Sequence, residues 1–377
     1  MMYFDNAATT KPLKSAIENA KAINDDLYFN PSARYHGGVL ASNLIKTARE
    51  NILKRVGGDF ELIFTSCGSE SDNMAIYSYC KRGNAVTTLG EHSAVYEPFL
   101  DLKNKGFDSR FAKINSDGSV NIESLLSLID ISTVFVSVVH VNNETGAVND
   151  INYISKECKK KNPKLIFHSD GVQAFGKMPY KLTSFIDLYS VSAHKIGGLK
   201  GVGAIFKNKN LKSLKPLIIG GGQEGNLRSG TENVFGIKVF EEAVIDRFDN
   251  ITFKFDAVFR LKARLISKID TNLIKVISSE NSSPYVVSLS AVGLRGEVLQ
   301  HMLEGDGIIV GTGSACSSKK PHSRVLKEAG YSSDVLDGVI RISFSPDNTI
   351  EEVEYLADKL NQNVEKLKKA MRKWKKL

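Results

Sequence analysis

The chain has 377 residues, 42% of them hydrophobic and 24% charged, with a formal net charge of +8. Length and composition fit an ordinary globular protein of roughly two to three domains and exclude a disordered or fibrous chain. There is no apolar run long enough to cross a bilayer, no basic-then-apolar leader in Met1-Met-Tyr-Phe-Asp-Asn, and no CxxC pair among Cys67, Cys80, Cys158 and Cys316, so a cytoplasmic protein with reduced thiols, no metal framework and no membrane contact is expected.

Between about residues 60 and 210, short β-branched apolar runs alternate with helical patterns: 62–65, 85–89, 133–141, 164–168, 188–191 and 203–206. The alternation predicts an α/β fold with a mostly parallel sheet covered by helices. The run 133–141 has no polar alternation and reads as a strand buried on both faces. Residues 232–270 read as largely helical and lead out of this layer. Strand-like segments 273–277, 285–289 and 338–344 then mix with helices in a smaller α/β layer. The last helix carries Ile350, Val353, Leu356, Leu360, Val364, Leu367, Met371 and Trp374 at steps of three and four, a core-facing stripe. Its basic end, from Lys366 to Lys376, reads as a solvated face. A contact for an acidic partner or for RNA is the alternative, with direct nucleic-acid binding the less expected outcome.

Ligands of such sheets gather at the carboxyl ends of strands, and each polar motif follows a predicted strand. Thr65-Ser-Cys-Gly68-Ser69-Glu-Ser-Asp-Asn73 opens a helix, where hydroxyls and free amides suit a phosphate or serve as a plain N-cap. It is neither a Walker loop nor a GxGxxG fingerprint. His92 follows the next strand; it is a structural histidine or one that stacks on a flat ring and shuttles protons. Asn143 ends the 133–141 run, as a turn cap or as a group that orients a cofactor hydroxyl or substrate carboxylate. His168-Ser-Asp170-Gly-Val-Gln173 and Val191-Ser192-Ala-His194-Lys195-Ile-Gly-Gly stand at the ends of neighbouring strands. A lysine at the mouth of a buried strand is costly unless bonded. A Schiff base to pyridoxal phosphate supplies such a bond, and that site also needs an acid facing the pyridinium nitrogen. Lys195 and Asp170 are placed to grip opposite sides of one flat cofactor.

Further on, the glycine-rich stretch from Gly220 to Thr231 is a mobile surface loop or a close approach to a ligand. Cys316 in Gly311-Thr-Gly-Ser-Ala-Cys-Ser-Ser-Lys-Lys is a nucleophile whose electropositive neighbours favour thiolate, or an incidental loop cysteine. Arg341 sits in an apolar strand, where it calls for an anionic partner: a structural carboxylate or a substrate carboxylate held bidentately.

Taken in order, Tyr3-Phe-Asp-Asn-Ala-Ala-Thr-Thr10, Asn30-Pro-Ser, Glu70-Ser-Asp-Asn73, His140-Val-Asn-Asn-Glu144, Ser192-Ala-His-Lys195, Arg228-Ser-Gly-Thr231 and Gly313-Ser-Ala-Cys316 resemble the NifS/IscS cysteine desulfurases. These are pyridoxal-phosphate enzymes of fold type I, related to class V aminotransferases, and the likeness runs nearly end to end. It implies a large domain (15–250) with a seven-stranded-type sheet and a small domain (1–14 with 251–377) carrying the Cys316 loop. It implies that Lys195 forms the Schiff base and moves the substrate Cα proton, that Asp170 holds the pyridine nitrogen protonated, and that Gln173 bonds the ring hydroxyl. His92 is implied to stack on the ring and to assist proton transfer as a catalytic residue. Gly68, Ser69, Ser192 and His194 are implied to bind the phosphate, with Thr231 reaching the phosphate of a partner subunit in a homodimer. Asn143 and Arg341 would take the carboxylate of L-cysteine, and Cys316 would receive its sulfur as a persulfide. That sulfur would pass to an acceptor protein, an iron–sulfur scaffold or a tRNA thiolation enzyme. Selenocysteine lyase, another class V enzyme, or a non-catalytic sulfur relay are the competing readings. Leu199, Gly225 and Cys67 depart from the family pattern without removing a catalytic group.

Overall fold

The computed structural model describes residues 1–26, 28–312 and 322–374. Among them, twelve strands form two sheets. In chain order the strands are β1 (Met2–Phe4), β2 (Phe60–Thr65), β3 (Asn84–Thr88), β4 (Asp108–Ala112), β5 (Thr133–Ser137), β6 (Ile166–Asp170), β7 (Leu188–Ser192), β8 (Gly203–Asn208), β9 (Lys275–Val276), β10 (Val286–Ser290), β11 (Ile308–Thr312) and β12 (Val339–Ser343).

The larger sheet has the order β2-β8-β7-β6-β5-β3-β4. Only β8 runs against the others, pairing antiparallel with both β2 and β7. Strands β3, β7 and β8 are buried throughout, as expected of a sheet covered on both faces. One face packs Ile52, Phe60, Phe175, Phe206 and Phe240 among others. The opposite face packs Met74, Ile76, Val95, Phe99 and Phe135, which brings helices Gly68–Tyr79 and Ser93–Asn104 onto the sheet.

The smaller sheet has the order β1-β11-β12-β10-β9. Helices Ile251–Lys268, Gly296–Gly305 and Ile350–Trp374 cover it, and the final helix contributes Val353, Leu356, Leu360 and Val364 to its core. The stripe read from sequence is a core face over that stretch, while Ile350 and Met371 remain exposed.

Several boundaries differ from the sequence-based expectation. The 133–141 run leaves the ladder after Ser137. Its continuation still bonds the neighbouring strand, with His140 N donating to Asp170 O at 2.9 Å, but the Asn142 side chain then draws the backbone into a turn by accepting from Glu144 N and Thr145 N. The 273–277 segment shrinks to the two residues of β9. Strands β1, β4 and β11 were not anticipated. The first is three residues long, the second is a polar edge strand, and the third runs into a glycine-rich segment.

Candidate active site

Six strands of the large sheet run in the same direction, so their carboxyl ends share one edge. A cavity of about 200 Å³ lies there, lined by Ala7, Ala8, Cys67, Gly68, Ser69, Asp72, His92, Ala94, Val139, Val141, Asn143, Asp170, Val172, Gln173, Ser192, His194, Lys195 and Arg341. Eleven positions singled out from sequence therefore meet in one place: Gly68, Ser69, His92, Asn143, Asp170, Gln173, Ser192, His194, Lys195 and Arg341, with Cys67 beside them.

One end of the cavity is the start of helix Gly68–Tyr79, where backbone N–H groups lack intrahelical partners. Close packing builds this end. A Cβ on Gly68 would stand 2.8 Å from Val172 Cγ2, and one on Gly203 would stand 2.5 Å from the Cys67 backbone. Glu70 holds the turn from behind, accepting from Ser66 N at 2.8 Å and from Arg228 Nε at 3.0 Å. Burial works against the Glu70 charge, but those two donors outweigh it and hold its carboxyl below the usual range. The Ser192 hydroxyl is buried at this end with no hydrogen-bond partner among the described residues. His194 completes the corner, its Nδ1 3.1 Å from Thr9 Oγ1.

Lys195 closes a single 3₁₀ turn, Ala193–Lys195, directly after β7. Its Nζ donates to Ala7 O and Ala8 O, each at 2.8 Å, so the amine rests on the N-terminal segment. Asp170 ends β6, one strand away. Burial first, then repulsion from Asp72, pushes its carboxyl up to about 7. A cationic ring nitrogen beside Asp170 would reverse that by supplying the missing opposite charge. Below Asp170 lies a buried polar network: His168 meets Ser137 Oγ at 2.8 Å and Ser190 Oγ at 2.9 Å, and its Nε2 is 3.5 Å from Asp72 Oδ1. His92 caps helix Ser93–Asn104, its Nδ1 accepting from Ala94 N at 3.1 Å. Burial, then the nearby Lys195, Arg324 and Arg341, brings the His92 imidazole down to about 4, so the ring is neutral at pH 7.

The other end belongs to Arg341 on β12, buried and donating to Asn143 O and to Asp5 Oδ1, each at 2.9 Å. Its Nε is buried without a hydrogen-bond partner among the described residues. The structural carboxylate weighed for this arginine is therefore present as Asp5, and the buried Nε–H is available to a further anion.

Thr231 stands apart. It borders a second cavity of about 110 Å³ with Thr65, Ser66, Glu224 and Arg228, behind the helix start. Leu199 packs beside Ala16, Ala20 and Val239, and Gly225 adopts a left-handed φ of 65°. Cys316 lies outside the described residues. Sequence reasoning missed Ala7 and Ala8, which act through carbonyls that any residue has, and Asp72. It also missed Arg324, which donates to Leu89 O and Glu91 O and sits 3.7 Å over the Tyr96 ring. A polar Ser71-Asp72 pair on a helix face packed against a sheet was the available signal for Asp72.

The donor set fits pyridoxal phosphate. The orphaned Ser192 hydroxyl and free amides form an anion cradle, an amine and a carboxyl flank the middle, and Val139, Val141 and Val172 give apolar walls.

Comparison with known proteins agrees. Residues 2–356 match the family model "Aminotransferase class-V". A NifS/IcsS protein homolog of Lactobacillus delbrueckii subsp. bulgaricus is 34% identical, over 97% of this chain and 99% of its own length. Cysteine desulfurase IscS of Dictyoglomus turgidum is 35% identical, over 97% and 95%. Among solved structures, a NifS-like protein superposes with a TM-score of 0.90 at 34% identity, over 97% of this chain and 100% of that one. SspA in complex with cysteine gives 0.81 at 28%, over 93% and 100%. The chain thus belongs to the class-V aminotransferases, in their pyridoxal-phosphate-dependent NifS/IscS cysteine desulfurase branch.

Proposed function

We propose that the protein is a cysteine desulfurase that converts L-cysteine to L-alanine and keeps the sulfur on Cys316 as a persulfide. The observation that carries this reading is one cavity lined by Lys195, Asp170 and the partnerless Ser192 hydroxyl at the cofactor side and by Arg341 at the other. Gly68, Ser69, Ser192 and His194 would hold the cofactor phosphate; Asp170 would keep a proton on the pyridine nitrogen; Gln173 would donate to the ring hydroxyl oxygen; His92 would stack on the ring and assist proton transfer. Pyridoxal phosphate, when bound, supplies the electron sink for negative charge at the substrate Cα.

Arg341 and Asn143 orient the cysteine carboxylate. Lys195 takes the Cα proton and returns protons to the product carbons. The Cys316 thiolate attacks the substrate sulfur: an S–S bond forms, the Cβ–S bond breaks, and its electron pair stays with the carbon skeleton. Overall, L-cysteine plus the Cys316 thiol gives L-alanine plus the Cys316 persulfide, balanced without an outside oxidant.

Residues 15–250 form the large cofactor-binding unit, and residues 1–14 with 251–377 the small unit. The protein works as a homodimer in the cytoplasm, with Thr231 of each subunit completing the phosphate site of the other. The acceptor of the sulfur is a protein thiol of iron–sulfur cluster assembly or of tRNA thiolation. No described helix is long and apolar enough to cross a membrane. The test is alanine and sulfide release from L-cysteine under reductant, with L-selenocysteine in parallel. Turnover of cysteine that is lost in Cys316→Ser supports the reading; turnover of selenocysteine alone overturns it.

A further inference from the structure

Lys177 is a buried lysine that the reaction above does not use. It lies off the wall of the main cavity, and its ammonium group meets no carboxylate among the described residues. Its charged surroundings are cationic, namely Lys195, Arg247 and Arg341, and the Tyr285 ring centroid is 6.0 Å from Nζ. Burial, then these cations, pushes the Lys177 amine well below its ordinary range. A methionine of similar length would fill the space without desolvating an amine, so the lysine needs a polar reason to be there.

That reason is Gln173. Lys177 Nζ donates to Gln173 Oε1 at 2.9 Å, while Gln173 Nε2 donates to Ala7 O at 2.9 Å. The Ala7 carbonyl can only accept, so Nε2 must face it and Oε1 must face Lys177. The amine donates whether or not it carries a charge. The turn that holds both residues is fixed in place: a Cβ on Gly171 would stand 1.9 Å from Tyr189 Cζ, and Gly176 adopts φ 65°. The same Ala7 carbonyl accepts from Lys195 Nζ at 2.8 Å. A continuous hydrogen-bonded row thus runs from Lys177 through Gln173 and Ala7 to Lys195, and Gln173 keeps one Nε2 hydrogen for the cavity that it lines.

Resting on the cofactor reading above, we propose that Lys177 is a positioning residue: by holding Gln173 Oε1 it makes the site present a donor, never an acceptor, to the cofactor's ring oxygen. A donor there stabilises the oxygen's deprotonated form and so eases proton loss from the linkage to Lys195.

The test is a pH titration of the absorbance of the cofactor-loaded protein, read beside cofactor affinity. Lys177→Met is expected to raise the absorbance pKa by about one unit and to weaken cofactor binding about fivefold, on the order of one hydrogen bond. In a Gln173→Leu background the same substitution is expected to add no further shift, because Lys177 acts through that amide. Should Lys177→Met fail to fold, Lys177→Gln carries the test: its head group falls short of Oε1 by about one bond (~1.5 Å), and the same rise is expected. An unshifted pKa overturns the proposal, as does a shift of equal size with Gln173 already removed. A wild-type protein that takes up no cofactor would instead overturn the reading on which it rests.

Discussion

The two ends of the cavity are built in different ways. The phosphate end comes from one sheet: the turn after β2, the end of β7, and the start of helix Gly68–Tyr79 are packed so tightly that glycines are required at 68 and 203. The carboxylate end spans both sheets. Arg341 comes from β12 of the small sheet and is steadied by Asp5, just after β1, and by Asn143 from the large one. The phosphate cradle thus rests chiefly on local motifs of the large sheet, whereas substrate binding depends on how the small sheet is seated.

If that contrast holds, substitutions at the two ends should separate. Arg341→Ala removes a buried, hydrogen-bonded charge from the substrate end. It is expected to lower kcat/KM for L-cysteine roughly a hundredfold while cofactor affinity, read by absorbance titration, stays near wild type; a comparable loss of cofactor would erase the distinction. Ser192→Ala is the mirror case. Cofactor affinity should fall roughly tenfold for one bond to a charged group, with KM for cysteine little changed once the protein is saturated. Arg324→Met cuts the contact between the small layer and the turn before His92. It should raise KM about fivefold, on the order of one hydrogen bond, and leave cofactor affinity intact.

The smallest effect concerns pH. In the cofactor-free protein, burial raises Asp72 and Asp170 to about 7 and Glu91 to about 8. The folded chain then holds protons that the unfolded chain has released, and stability falls as pH rises from the ordinary carboxylate range through those values. His92, His168 and His194, depressed to about 4, and His140, to about 3, act in the opposite sense. The unfolded chain gains protons that these rings refuse, so stability is lost as pH falls below the ordinary histidine range of about 6.5. The two groups offset each other between about pH 4 and 6.5; above that the carboxyls are opposed by the buried Lys177 amine, held well below its ordinary range, and toward pH 8 by Lys262, lowered to about 8. Melting temperature of the cofactor-free protein should therefore decline from about pH 6.5 to 7 and level off toward pH 8, where the amines of Lys177 and Lys262 offset the carboxyls, and cofactor, which sets a cation against Asp170, should flatten the decline. Parallel curves with and without cofactor would count against that pairing.

The same contrast sets what sequence could reveal. Lys195, Asp170 and His92 were legible because polar residues at the ends of buried apolar strands have few bland explanations. The parallel sheet was legible from its alternation. The small sheet was harder: β1 and β11 are short and pair across more than three hundred residues, with Met2 opposite Ile308. Asp5 as partner of Arg341 is equally remote in the chain. The carbonyls of Ala7 and Ala8 carry no residue signature at all. Nothing near Lys177 in the sequence announces its burial, which is seen only in the folded chain.

The central claim is that Lys195, and no other amine, carries the cofactor opposite Asp170. Borohydride reduction of the pyridoxal-phosphate-loaded protein, followed by peptide mass mapping, tests it most directly. A single phosphopyridoxyl adduct on Lys195, absent in Lys195→Ala, is the expected result. An adduct on the neighbouring buried amine of Lys177, or none, would contradict it.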